Sequence, residues 1–168
     1  MCVLTKENIL ELIKKGKIKI EPFNETQVGP GSIDLTMSNE FRRFKQNSEL
    51  ELKEDMNIDD YTERFIADEI VLKPNEFVHG ITAEKITLPD NVCGLLHGRS
   101  KFARTGLLVH ATASFIQPGV SNRQVFEIKN ISPVPLKLKK GLKIGQLVLI
   151  ETKGKAKYHG SFEKQETI

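Results

Sequence analysis

Residues 86–130 read ITLPDNVCGLLHGRSKFARTGLLVHATASFIQPGVSNRQVFEIKN, and this stretch decides the fold class. Short apolar runs follow one another, and glycine or proline separates them, as at Gly106 and Pro118-Gly119. The Pro118-Gly119 pair favours a type II turn. Runs of this kind without a helical period between them are typical of the short strands of an all-β barrel or sandwich.

The same pattern continues on both sides of this stretch. Upstream, residues 5–15 have the apolar spacing of a helix that Thr5 can cap and Gly16 can end. Residues 45–69 are polar and acidic and are interpreted as a long excursion from the sheet. The predicted strands cover 17–23, 32–44, 69–74, 76–82, 84–89, 92–98, 106–116, 124–130, 134–141 and 143–152.

Length and composition indicate one globular domain. The chain has 168 residues, 39% of them hydrophobic, and a formal net charge of +3, which is too small to favour bulk binding of nucleic acid. We predict one domain over residues 1–150 and a flexible tail over residues 151–168, where all periodicity is lost.

Cysteine usage and hydropathy bear on the compartment. The two cysteines, Cys2 and Cys93, have neither a metal-ligand spacing nor a disulfide framework. The sequence shows neither a signal peptide nor a stretch long enough to span a membrane, so we expect a cytoplasmic protein. The four histidines also lack a metal-ligand spacing and are expected to be structural or exposed.

The segment GRSKFAR at 98–104 raises an electrostatic question. A guanidinium always carries its charge, so Arg99 and Arg104 beside an apolar strand need an anion. Together with Ser100 and Lys101 they offer the donors that phosphates require. A surface loop whose arginines pair with the acidic segment at 49–69 is at least equally compatible with the residues.

Glu127 interrupts the apolar strand pattern of QVFEIKN. A carboxyl group in such surroundings is a candidate general acid or base, and burial predicts that its pKa is raised. Simple alternation is the other interpretation, in which Phe126 and Ile128 face the core and Glu127 faces away from it.

These segments, in this order, resemble the dCTP deaminase branch of the dUTPase-like superfamily. The match covers VGPGSIDLTMSNEFRRF at 28–44, the stretch 86–130, and LKLKKGLKIGQL at 136–147. The resemblance implies a distorted dUTPase-like β-barrel or jelly-roll with a short N-terminal helix. It also implies a homotrimer with active sites between subunits and zinc-independent hydrolytic deamination of dCTP to dUTP and ammonia. The PCxxC signature of the zinc deaminases is absent from the sequence.

The resemblance also assigns roles to residues. It implies that Glu127 is the proton shuttle and that Ser100, Arg104 and the backbone of Ala113 hold the attacking water and this glutamate. It implies that Mg²⁺ accompanies the triphosphate. The residues that it implies for nucleotide and phosphate binding are Arg99, Ser100, Lys101, Gln117, Gln146 and, in a C-terminal lid, Lys157 and Tyr158.

Gln117 departs from the family pattern, in which this position is an aspartate that activates water in dUTPases. An amide cannot act as a base, which argues against cleavage of the phosphate chain. We therefore expect a dCTP deaminase that releases dUTP. The alternatives are a dUTP diphosphatase, a bifunctional enzyme that converts dCTP to dUMP, and a nucleotide-binding paralogue without turnover.

Overall fold

The computed structural model describes residues 2–46 and 49–168. Within these ranges the chain forms twelve β-strands, two α-helices and two 3-10 helices, so the predicted all-β class is confirmed. The helices are α1 Lys6–Lys14 and α2 Ser100–Ala103, and the 3-10 helices span Glu25–Gln27 and Ile58–Asp60. The strands are β1 Cys2–Val3, β2 Lys19–Glu21, β3 Ile33–Phe44, β4 Thr62–Ile66, β5 Glu69–Leu72, β6 Phe77–Thr87, β7 Val92–Gly98, β8 Leu107–Leu108, β9 Phe115–Ile116, β10 Ser121–Asn130, β11 Leu136–Lys139 and β12 Lys143–Glu151.

Among the described residues, ten strands join into one sheet. Its central path runs β8–β10–β6–β3–β12–β7–β9, and each neighbouring pair is antiparallel. Three short strands extend it: β1 pairs with β12, β2 with β6, and β4 with β3. Strands β5 and β11 form a separate antiparallel pair.

The large sheet curls until distant strands meet across the core. Gly145 on β12 packs against the buried ring of Phe126 on β10, although β6 and β3 separate these strands in the sheet. A Cβ atom at position 145 would lie 2.5 Å from Cε1 of Phe126, well inside normal contact distance. The curvature therefore depends on a residue without a side chain at this position.

The N-terminal helix matches the prediction except at its cap. Helix α1 buries Ile9 and ends before Gly16, whose φ of +67° favours glycine. The hydroxyl of Thr5 donates to Oδ1 of Asn8 at 2.9 Å and does not bind a backbone N–H of the helix. The helix begins at the predicted place, but the predicted capping hydrogen bond with the Thr5 side chain is not formed.

Two predictions are wrong, one for the strands that follow the acidic segment and one for the acidic segment itself. The separate strands at 76–82 and 84–89 are one strand, β6, which passes through Gly80, where the rings and methyls of Phe41 and Ile128 leave little space for a side chain. The excursion at 45–69 contains strand β4, which pairs with the end of β3. The segment also includes Asn47 and Ser48, which lie outside the described residues.

The predicted strand at 106–116 is interrupted. Only β8 and β9 are strands, and the backbone between them leaves the sheet. By contrast, Gly119 has a φ of +75°, as the predicted type II turn requires. No helix among the described residues is long and apolar enough to cross a membrane.

Replacement of Gly145 by alanine tests the close approach of β12 and β10. We expect Gly145→Ala to lower the free energy of unfolding by about 1–3 kcal/mol, because the new methyl group overlaps the ring of Phe126. Chemical denaturation at one fixed protein concentration measures this change. Gly31→Ala is the control, since its nearest neighbour would be 3.9 Å away. Equal unfolding curves for Gly145→Ala and wild type would contradict this account of the curl.

Candidate active site

The outer face of the central strands carries a row of polar side chains. Arg42 on β3 pairs in register with His79 on β6, and His79 pairs with Glu127 on β10. The adjacent pairs, Phe41 with Gly80 and Gly80 with Phe126, point into the core. The alternation considered for Glu127 is therefore correct, and it places the carboxylate on the face opposite the core.

A cavity of about 690 Å³ opens above this face. The strands contribute polar groups to its wall, and the C-terminal segment contributes Tyr158 and residues beyond it. The cavity combines acidic, basic and amide side chains with apolar ones, as small-molecule sites do. Its polar lining includes Arg42, Asp59, Arg64, His79, His110, Gln117, Asn122, Gln124, Glu127, Tyr158, Ser161, Lys164, Gln165 and Thr167.

Three hydrogen bonds hold the carboxylate of Glu127. The backbone N–H groups of Ala111 and Thr112 donate to Oε2 at 2.9 and 2.6 Å, and the hydroxyl of Thr112 donates to Oε1 at 2.8 Å. This arrangement explains the break between β8 and β9, because the N–H groups that would join a neighbouring strand bind the carboxylate. Oε1 keeps a lone pair that a water molecule or ligand can use.

The predicted raised pKa of Glu127 is wrong. Burial does raise the pKa of this carboxyl group, but the hydrogen bonds from Thr112 and Ala111, with the nearby His110, lower it more. The net pKa lies below that of an ordinary glutamate, so Glu127 is ionised at neutral pH. The site therefore presents a base and not a proton donor.

The cavity brings together four of the residues that the resemblance assigned to the site. Glu127, Ala113, Gln117 and Tyr158 line it. Gln117 lies directly after β9 and is exposed. Tyr158 reaches the cavity because its N–H donates to the carbonyl of Pro118 at 3.0 Å.

The other predicted residues lie outside this cavity. Ser100, Lys101 and Arg104 are exposed on or directly after α2, and within the described part of the chain their side chains have no polar partner. Gln146 lies on β12, opposite Asp34 and His97 in the register. Lys157 packs against the turn at Gly119. Within one copy of the chain, Ser100, Lys101 and Arg104, the basic group around α2, therefore do not line the cavity that contains Glu127.

Arg99 has an anion within its own chain. Its Nη2 lies 2.9 Å from Oδ2 of Asp34, and its Nη1 donates to the carbonyl of Lys143 at 2.8 Å. Both side chains of the ion pair are partly buried, at 31% and 22% exposed. Arg99 is therefore neutralised by an ion pair with a carboxylate of its own chain. Arg104 has no such partner among the described residues.

The C-terminal segment follows the start of β10. The side-chain amide of Asn122 donates to the carbonyl of Phe162 at 2.6 Å, and the N–H of Arg123 donates to the carbonyl of Gln165 at 2.9 Å. Lys85 forms an ion pair with Glu166. These contacts place the tail over the cavity that contains Glu127, and its role as a lid stays a prediction.

The sequence analysis missed the residues that define the state of Glu127. Thr112 is the main one, and its only signal was the polar break ATAS within an apolar run. The sequence analysis also did not identify Asp34 as the partner of Arg99. Arg42 and His79 carry no local signal, since only the strand register brings them beside Glu127.

Comparison with known proteins identifies the family. The dCTP deaminase-like family model matches residues 3–152. The chain belongs to this family. It is 38% identical to a protein of Parafrankia sp. (strain EAN1pec), over 88% of this chain and 75% of the relative, and 39% identical to one of Corynebacterium efficiens, over 88% and 78%. Both relatives are named dCTP deaminase, dUMP-forming.

Solved structures with the same fold include a deaminase and a dUTPase. The 2'-deoxycytidine 5'-triphosphate deaminase from Agrobacterium tumefaciens aligns with a TM-score of 0.67 at 21% identity, over 88% of this chain and 46% of that one. The dUTPase from phage phi11 of S. aureus aligns with a TM-score of 0.53 at 15% identity, over 86% and 96%. The predicted dUTPase-like fold is confirmed.

Removal of the Thr112 hydroxyl tests what holds Glu127 ionised. We expect Thr112→Val to raise the pKa of Glu127 towards its ordinary value, because one of three donated hydrogen bonds is lost. Carbon-13 NMR titration of the labelled side-chain carboxyl groups, with Glu127→Gln to assign the signal, measures it. Thr105→Val is the control, since that hydroxyl binds the carbonyl of Phe102. An unchanged titration in Thr112→Val would show that the hydroxyl does not set the pKa.

Proposed function

We propose that this chain hydrolytically deaminates dCTP to a uracil deoxynucleotide and ammonia. The observation that carries the proposal is the carboxylate of Glu127, held ionised by three hydrogen bonds at the wall of a ligand-sized cavity. Membership of the dCTP deaminase-like family and the names of the relatives support the same reaction.

Glu127 acts as base and then as acid in this proposal. It takes a proton from water while the water oxygen bonds to C4 of the cytosine, and it passes that proton to the ring nitrogen N3. A second proton moves from the added hydroxyl through Glu127 to the amino group, the C4–N bond breaks, and ammonia leaves. Because its pKa lies below the usual glutamate value, Glu127 is ionised at neutral pH, and its carboxylate can accept the proton of water in the first step.

A second copy of the chain completes the site. Ser100 and Arg104 are exposed and lack polar partners in the described part of their own chain, whereas Glu127 and Ala113 line the cavity. We propose that α2 of one subunit approaches the Glu127 cavity of another in a homotrimer. Arg104 would then orient Glu127 and stabilise the charge that develops when water adds to the base.

The basic group around α2 would bind the triphosphate. Arg99, Ser100 and Lys101 supply the donors, and the ion pair with Asp34 fixes the direction of Arg99. We propose that the nucleotide also contacts Gln146, Lys157 and Tyr158. Magnesium would arrive as part of the substrate, bound to phosphate oxygens, and its positive charge would offset the charge of the triphosphate.

The product of this chain is proposed to be dUTP. Gln117 stands where the family pattern has an aspartate, and an amide can hydrogen-bond a sugar hydroxyl but cannot activate water. The second candidate is conversion of dCTP to dUMP, which the names of the Parafrankia and Corynebacterium relatives favour.

Glu127→Gln tests the proton shuttle. We expect ammonia release from dCTP to fall by at least about a hundredfold, because an amide cannot accept the proton of water. Binding of dCTP, measured by calorimetry, should persist because the phosphate contacts remain. Glu151→Gln at the exposed end of β12 is the matched control and should keep wild-type activity. Full activity in Glu127→Gln would remove this residue from the mechanism, and binding without turnover by the wild type would identify a non-catalytic paralogue.

Separation of the products by ion-exchange chromatography tests the role of Gln117. We expect dCTP to give dUTP and ammonia, and dUTP to remain intact when supplied as substrate. Gln117→Asp should then gain dUMP and pyrophosphate, because a carboxylate at this position can activate water. Formation of dUMP by the wild type would show that the chain shares the activity in its relatives' names, and the assignment of position 117 would be wrong.

A further inference from the structure

His79 lies between a cation and an anion on the outer face of the sheet. In the register of β3, β6 and β10 it is the direct partner of both Arg42 and Glu127, and all three side chains line the cavity. Side chains that face each other across neighbouring strands lie close enough to interact. His79 is therefore the ionisable group that adjoins Glu127 within the sheet.

Arg42 is a fixed charge on the far side of His79. Its side chain is 4% exposed, with Nη1 2.5 Å from Oδ1 of Asp59 and 2.6 Å from the hydroxyl of Thr62. Because a guanidinium stays charged and these two partners hold it, its field at His79 does not vary with pH near neutrality.

The charge of His79 itself is free to vary. Its Nδ1 is buried without a hydrogen-bond partner, and the ring packs edge-on against Phe77, with centroids 4.9 Å apart, and near Phe44 at 6.0 Å. Burial lowers the pKa of His79, the carboxylate of Glu127 raises it, and Arg42 lowers it, with a net decrease. The imidazole is consequently neutral at neutral pH and gains its proton only in acid.

Two more distant charges share this face. Glu40 lies two residues from Arg42 on β3 and pairs with Arg123, with its Oε1 2.5 Å from Nη1. Lys129 lies two residues from Glu127 on β10, opposite Phe77. Arg42 and Glu127 therefore remain the charges directly opposite His79 in the strand register, and His110, which lines the same cavity, is the other histidine near Glu127.

We propose that His79 is a positioning residue that acts through Glu127, and that its neutral form keeps this carboxylate an effective base. Protonation of the imidazole places a cation beside the carboxylate, which stabilises the anion and weakens it as a base. The inference rests on the proposed function, because it assigns Glu127 to proton transfer. The site then loses activity in acid as His79 gains its proton, and this loss requires the imidazole.

The pH dependence of kcat/KM for ammonia release is the first test. We expect wild-type activity to fall about tenfold across the titration of His79, as one unit charge a few ångströms away in a partly exposed site implies. His79→Gln cannot gain the charge, and His79→Phe also keeps the aromatic packing, so both should lack this step. His97→Gln, an exposed histidine on β7, is the control and should retain it. Profiles of the same shape in wild type and both His79 variants would overturn the proposal.

NMR titration of the histidine rings tests the coupling without any turnover. With carbon-13 labelled histidine and His79→Gln for assignment, the His79 signal should titrate below the ordinary histidine range. In Glu127→Gln it should shift further down, because the anion that favours the imidazolium is gone. The same titration in both proteins would overturn the inference, even if deamination is confirmed. A shift in a protein that does not deaminate dCTP would support the coupling and refute only the proposed reaction.

Discussion

The rest of the site depends on where one carboxylate finds its hydrogen bonds. Glu127 alternates with Phe126 and Ile128, so the strand that builds the core also turns this carboxylate outward, into a half-buried cavity. An ionised group there must be matched by donors, and the chain supplies them from the backbone at Ala111 and Thr112. The strand predicted at 106–116 is interrupted as a result, because these N–H groups can no longer pair with a neighbouring strand. The same hydrogen bonds therefore account for both the break between β8 and β9 and the ionised state of Glu127.

Charge is divided between two regions of the chain. Donors within the subunit match the carboxylate of Glu127, and Asp34 matches the charge of Arg99 in the same way. On and directly after α2, Ser100, Lys101 and Arg104 point outward, and the described part of the chain offers their side chains no partner. A surface cation alone is ordinary, but two cations and a hydroxyl on one short segment suit a polyanion. We infer that a single copy carries halves of two different sites, and that Ser100, Lys101 and Arg104 serve the cavity of another copy.

Local patterns were sufficient for much of the fold and for less of the site. The alternation of apolar and polar residues located the long strands. Gly16 marked the end of a helix and Gly119 marked a turn, because both positions need a positive φ. The break at 109–114 and the continuity of β6 could not be predicted, since each depends on contacts between distant segments. The same is true of the pKa of Glu127: apolar neighbours in the sequence predicted a raised value, whereas the folded chain brings Thr112 to it. Arg42 and His79 join the site through strand register alone.

Complementation between two inactive variants tests most directly whether the site is shared between copies. Glu127→Gln and Arg104→Ala would each be purified as homo-oligomers, mixed in equal amounts, unfolded and refolded together, and assayed for ammonia release from dCTP. If each site takes Glu127 from one subunit and Arg104 from another, random assembly restores both residues in about a quarter of the sites. The account predicts that activity returns to about this fraction of refolded wild type. Activity no greater than that of the separate variants would contradict it and would place Glu127 and Arg104 in the same subunit's site.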